Sequence, residues 1–149
     1  MPKSPPPTPR PYTKETSDPF LKTEWLALRK RYFPDRPDID SYTVVWSRRD
    51  QKRTLASCNT QKRRIRVARE LDLDRYHCWL APLLYHEMCH AVLDRKVSKS
   101  GKKFLWHGPE FRQLEKMHPE TASLDNWIAE GGWAQAVRSH RSRVAHAKR

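Results

Sequence analysis

Cysteine is scarce. The 149-residue chain holds three, Cys58, Cys78 and Cys89, and no two of them are spaced C-x-x-C. Such a set argues against a disulfide framework and against a cysteine-based zinc ribbon, and a reducing compartment is the simpler expectation. Long apolar runs are missing as well, since no window approaches the roughly eighteen apolar residues of a membrane span. The N-terminus is Pro-rich where a secretory leader has a charged start and an apolar core. The expectation is a soluble, cytoplasmic protein, not secreted and not membrane-bound, with association to a nucleoid or chromatin open to it. Acidic residues are outnumbered: 30 Lys and Arg against 17 Asp and Glu give a net charge of +13. That balance predicts attraction to polyanions, nucleic acid above all, or to acidic protein partners. The length is about one domain's worth, enough for a single modest core, and no internal repeat is visible.

The stretch that stands out is Tyr85-His86-Glu87-Met88-Cys89-His90, an H-E-x-x-H run in an apolar segment that begins near Trp79. Residues four apart share a helix face, so His86 and His90 can offer imidazole nitrogens to one metal ion at about 2.0 to 2.1 Å. Glu87 follows the first ligand after a rotation of about 100°, which brings its carboxylate over the edge of that face, within reach of a water on the metal. The combination suits hydrolysis of an amide bond. Leu80, Leu83, Leu84, Met88, Ala91, Val92 and Leu93 make the surroundings apolar, and three ionisable groups in such a setting need a compensating partner. A metal supplies one. Cys89 lies off the ligand stripe and reads, like Cys58 and Cys78, as a small buried hydrophobe. His77, His118, His140 and His146 lack partners at ligand spacing and read as structural or exposed.

Around this motif the chain divides simply. Residues 1–17 hold six of the twelve prolines and are expected to form a disordered tail. Asp18-Pro19 reads as a helix cap followed by a first-turn proline; Phe20, Leu21, Trp25, Leu28, Tyr32 and Phe33 then recur at helical spacing until Pro34. Residues 42–46, 54–58 and 65–68 are rich in β-branched and aromatic side chains or bounded by turn signals, and are read as three strands. With Ile65 and Val67 inward, Arg64, Arg66 and Ala68 point the other way and make one sheet face basic. The motif helix either begins near Trp79 with Pro82 in its first turn or starts earlier and kinks there. A basic loop follows, with Ser100-Gly101 as its turn, and Phe104-Leu105-Trp106 bring the chain back. Pro109 opens a further helix with Phe111, Leu114, Glu115 and His118 along one face. A last helix covers residues 122–128, and Gly131-Gly132 then break the pattern. The domain is expected over residues 18–137, with a basic C-terminal tail over 138–149.

A catalytic zinc site takes three protein ligands and leaves a position for water, so H-E-x-x-H is one ligand short. Downstream candidates are His107, Glu110, Glu115, His118 and Glu130. His107 leads, because it stands beside an expected helix start reached by a loop that turns back after Leu93. Glu115 is the alternative if a helix-borne glutamate completes the site, Glu130 a more distant one, and a two-ligand or metal-free site stays open.

Taken together, YHEMCHAVL and then HGPEF, with His107 seventeen residues after His90, resemble the SprT-like (Spartan-type) metalloprotease family. That family places its third zinc histidine in an H-G-x-x-F segment, which falls here on His107, Gly108 and Phe111. The resemblance extends upstream through Tyr32-Phe33, Trp46-Ser47, a basic turn, Thr54-Leu55-Ala56-Ser57-Cys58 and Ile65, and covers roughly residues 18 to 118. Ala56 departs from the glycine often found before Ser-Cys. This sequence contains no four-cysteine ribbon and no recognisable ubiquitin- or clamp-binding segment, so recruitment by such elements does not carry over.

The resemblance implies an α+β, zincin-like minimal metalloprotease domain: an N-terminal helix, a small three-stranded antiparallel sheet, and the H-E-x-x-H helix followed by a second ligand-bearing helix. It implies one Zn2+ on His86, His90 and His107, with Glu87 as general base, acting as a monomer on protein or peptide substrates. The donor that would stabilise the oxyanion is left among Tyr85, Tyr42 and the arginines. An open edge at residues 64–68 would let a substrate add as a further strand. Lys and Arg are dense over residues 48–69 and 95–103, with Trp46 and Trp106 interleaved, so non-specific DNA, single-stranded or duplex, is the expected partner, and DNA-bound or crosslinked proteins the expected substrates. The competing readings are a non-proteolytic, zinc-stabilised basic DNA-binding module, which the intact Glu87 disfavours, and a zinc hydrolase acting on another bond.

Overall fold

Asp18 starts the first helix as a cap should: its side chain accepts a hydrogen bond from the Leu21 N–H at 3.0 Å, and Pro19 follows as the first helical residue. Helix α1 (Pro19–Tyr32) buries Leu21, Trp25, Leu28 and Arg29. This comes from a computed structural model that describes residues 16–94 and 107–148. The expected Pro-rich tail up to residue 15 and the whole loop from 95 to 106, including Trp106, lie outside the described residues. Ser17, placed in that tail by composition, belongs to the fold, since its hydroxyl accepts the Val44 N–H at 3.0 Å. Arg29 forks onto Asp40 at 2.7 and 2.8 Å, and the Trp25 indole donates to the Ile39 carbonyl at 2.9 Å. These bonds hold the 3-10 turn Pro37–Ser41 against α1 and aim the chain into the sheet.

The sheet has three strands, β1 (Thr43–Trp46), β2 (Ala56–Asn59) and β3 (Arg64–Val67). Their order is β1-β3-β2, with β1 parallel to β3 and β2 antiparallel to it. The expected antiparallel sheet is therefore mixed. The connection after β1 skips a strand position, and the tight β2–β3 turn, closed by the Lys62 N–H on Asn59 Oδ1 at 3.0 Å, returns β3 into the gap. Centrality suits β3, whose Ile65 and Val67 are fully buried. The connection is held by Glu70, a buried carboxylate that accepts the N–H groups of Gln51 at 2.9 Å and Lys52 at 3.0 Å. Arg66 is exposed and Arg64 half-buried, as alternation requires, whereas Ala68 is buried because the strand has ended at Val67.

The free edge also lies elsewhere than expected. Because β3 is central, residues 64–68 have no open side; β2 has one. Leu55 accepts the Ala68 N–H at 2.8 Å, and hydrogen-bonded pairs alternate along an antiparallel ladder. By that alternation Ser57 and Asn59 bond to β3, while the backbone groups of Ala56 and Cys58 point outward.

A 3-10 segment (Asp74–Trp79) leads into α2 (Leu80–Leu93), with Pro82 in the first turn where no helical N–H is lost. Leu80, Leu84, Tyr85, Met88 and Cys89 are fully buried, as expected of a helix packed on several sides. It packs against α1, β2 and α3 (Pro109–Glu115). Then come α4 (Thr121–Ala129) and α5 (Gly132–Ala147). The architecture is α+β, with five α-helices around a small mixed sheet among the described residues.

Helix α5 occupies most of the span expected to be a basic tail. Gly131 turns the corner with φ +90, a left-handed conformation that glycine adopts without steric cost. Trp133 and Ala136 then bury against the domain. Further along, the His140 ring sits 2.9 Å from Asp50, which also holds Arg69 at 2.6 Å. At Gly132 an added Cβ would lie 2.1 Å from the Trp127 ring, and that ring is stacked on Trp79. Gly132→Ala is expected to destabilise the fold by about 1–3 kcal/mol, read from urea unfolding midpoints.

Candidate metal centre

One turn of α2 separates His86 from His90, and α3 packs on α2 so that His107, two residues before its first turn, comes over the same face. Candidate ligand atoms of the three histidines all lie within 4.8 Å of one another. Their ring centroids are 5.2, 5.4 and 5.0 Å apart. Phe111, itself 1% exposed, touches all three rings at centroid distances of 5.0, 4.4 and 5.0 Å. It forms a floor against which the imidazoles are ordered.

Burial and the neighbouring imidazoles push His90 down to about 3. Burial also lowers His86, against the opposing pull of Glu115. Both rings are therefore neutral at ordinary pH and keep the lone pairs that a metal requires. Among the described residues this is the one group of three or more His, Cys, Asp or Glu able to hold an ion, and a set of three imidazoles suits zinc and its neighbours in the first transition row. The residues fit a metal.

Glu87 is 5% exposed, and burial raises its carboxyl to about 8. It stands where two clefts meet. The first, about 340 Å³, is lined by Ala56, Ser57 and Cys58 of β2 together with Glu87 and the three histidines. The second, about 300 Å³, shares Ala56, His86 and Glu87 and adds apolar walls from Leu55, Leu83, Leu124 and Ile128, with Glu115, Asp125 and Arg53 at its rim. The site thus lies alongside the free edge of the sheet.

Of the expected third-ligand candidates, the structure gathers His107 with His86 and His90. Glu115 instead puts Oε1 3.2 Å from His86 Nδ1. His118 is buried between Tyr32 and Tyr85, and its Nδ1 accepts the Glu120 N–H at 3.1 Å. Glu110 and Glu130 are exposed and stand outside the group. Both tyrosines considered as oxyanion donors drop out. Tyr85 is fully buried with its hydroxyl on the Leu114 carbonyl, Tyr42 is 4% exposed, and neither lines either of these two clefts. Arg53 is the arginine lining either cleft among the described residues. Cys89 is buried as expected, but Cys78 is exposed and Cys58 lines the first cleft, its thiol raised to about 12 by burial. The part played by β2 escaped sequence reasoning, although the alternation of polar Ser57 and Asn59 with Ala56 and Cys58 was a signal. The Glu115–His86 contact also escaped it, with the four-residue spacing of His107, Phe111 and Glu115 as the available clue.

No curated protein and no solved structure matches the chain. The model of the SprT-like family matches residues 23–126. That span carries the three clustered histidines, Glu87, the floor residue Phe111 and the edge strand that borders them. The chain belongs to the SprT-like family, whose known kind is the zinc metalloprotease.

Proposed function

We propose that this protein is a zincin-like, zinc-dependent endopeptidase. The observation that carries the reading is a buried carboxylate, Glu87, beside three neutral or exposed imidazoles gathered within the reach of one ion, at the meeting of two clefts. His86, His90 and His107 would hold the zinc. When bound, zinc supplies Lewis acidity, polarising the scissile carbonyl and bringing the acidity of water toward neutral pH.

The remaining work falls to the chain. Glu87, ionised once a neighbouring cation offsets the burial that raises its carboxyl, takes a proton from the attacking water and returns it to the departing amine, and its low exposure keeps competing solvent away from that transfer. Phe111 and the packing of α3 on α2 fix the imidazoles, so little reorganisation is needed as the reaction proceeds. An extended stretch of substrate adds to β2 through the outward backbone groups of Ala56 and Cys58, which favours unfolded or extended segments. Glu87→Gln is expected to retain one equivalent of zinc by metal analysis while casein cleavage falls at least about a hundredfold. A wild-type rate in that variant removes Glu87 as the base.

We extend the proposal to DNA as the setting. Arg48, Arg49, Lys52, Arg53, Lys62, Arg63 and Arg66 are all exposed on the strand connections and the outer sheet face. Contacts from such residues go to phosphates and carry no sequence preference. Affinity for single-stranded or duplex DNA should fall about a hundredfold between roughly 50 and 200 mM salt, measured by fluorescence anisotropy. A flat salt response removes DNA from the proposal and leaves the peptidase chemistry untouched.

A further inference from the structure

The last residue of α3 is not among the clustered imidazoles, yet it touches one of them. Glu115 Oε1 lies 3.2 Å from His86 Nδ1, with its side chain 18% exposed and that of His86 27%. His107, Phe111 and Glu115 follow each other at four-residue intervals. Within α3, spacing of this kind puts Phe111 and Glu115 on one face, and His107 extends the line just before the helix. The stripe meets α2 with an imidazole, then an aromatic ring against all three imidazoles, then a carboxylate. The backbone that carries the carboxylate is held at two points: the Glu115 main-chain carbonyl accepts the Thr121 hydroxyl at 2.9 Å, and the preceding carbonyl, of Leu114, accepts the Tyr85 hydroxyl from α2.

We infer that Glu115 is a positioning residue for the metal centre, accepting the Nδ1 proton of His86 and so leaving Nε2 as the nitrogen that can bind a cation shared with His90 and His107. A neutral imidazole has one proton to place, and the hydrogen bond made by one nitrogen decides which role is left to the other. A carboxylate in that place orients the ring and makes the remaining nitrogen more basic. The inference rests on the proposed reading of the three histidines as a metal site. It differs from a ligand role for Glu115, because Glu115 stands outside the cluster of candidate ligands.

Two measurements test it, one of them without metal. In the metal-free protein, long-range proton–nitrogen NMR correlations should show His86 as the Nδ1–H tautomer, and Glu115→Ala should lose that preference. Zinc affinity, measured by competition with a chromogenic chelator, should fall about 10- to 100-fold in Glu115→Ala. Glu115→Gln, which keeps an acceptor oxygen and nearly the same volume, should keep the tautomer and lose about tenfold at most. It also decides the matter if the alanine variant does not fold: an Nε2–H tautomer of His86 in both wild type and Glu115→Gln overturns the inference. So does unchanged affinity in a folded Glu115→Ala, and so does a loss as large as that of His86→Ala, which would make Glu115 a ligand. A wild-type chain that binds no zinc defeats the proposed function instead, and the tautomer in the metal-free protein still reports on Glu115.

Discussion

The packing of α3 on α2 is the contact on which the site depends. Helix α2 is apolar on nearly every side, and α1, β2 and α3 cover most of it. The stripe bearing His86, Glu87 and His90 faces the first cleft, with His86 half-buried and the other two buried. Phe111 closes that stripe from the α3 side, and because it is almost wholly buried its location is set by the same apolar burial that stabilises the core. A bulky ring buried at a helix–helix contact typically contributes about 3–5 kcal/mol relative to alanine. His107 is delivered by the chain just before that contact, so folding and the gathering of the imidazoles are one event.

Setting the His86 and His90 rings side by side in a poorly hydrated place has an electrostatic cost, and the shifts at both record how the chain meets it. Protonating both would put like charges side by side away from water, so these two rings stay neutral. Neutral rings with converging nitrogens satisfy one another poorly and a cation well, which is why the arrangement is better explained by a proposed metal than by packing alone. Glu87 meets the same environment from the opposite sign, its carboxyl raised because burial disfavours the anion. The two clefts give access to these groups along the sheet edge without opening the core behind them.

Local signals were legible in the sequence, and non-local partnerships were not. The start of α1 followed from Asp18 and Pro19, the limits of α2 from Pro82 and its apolar run, and the juxtaposition of His86, Glu87 and His90 from helical periodicity. His107 could be singled out because a helix-starting proline follows it, and the family resemblance strengthened that choice. Nothing in residues 43–46, however, says whether their neighbour is β2 or β3, so the parallel pairing and the identity of the free edge were out of reach. The Tyr85 hydroxyl reads equally well as a catalytic donor until the Leu114 carbonyl is seen to accept it. Helix α5 was hidden for another reason: Trp133 and Ala136 are its buried residues, too few to give a recognisable period, and the glycine pair ahead of it looks like a terminus when it is a corner.

That last helix has a bearing on how the chain can be shortened. Residues 138–147 look dispensable by composition, yet His140 reaches back to Asp50, and Asp50 with Arg69 anchors the turn from which β2 departs. A boundary drawn where apolar residues run out would cut away a strut on the loop that leads into the strand bordering the cleft. The positively charged last helix thus doubles as scaffolding for the loop that feeds the groove's edge strand.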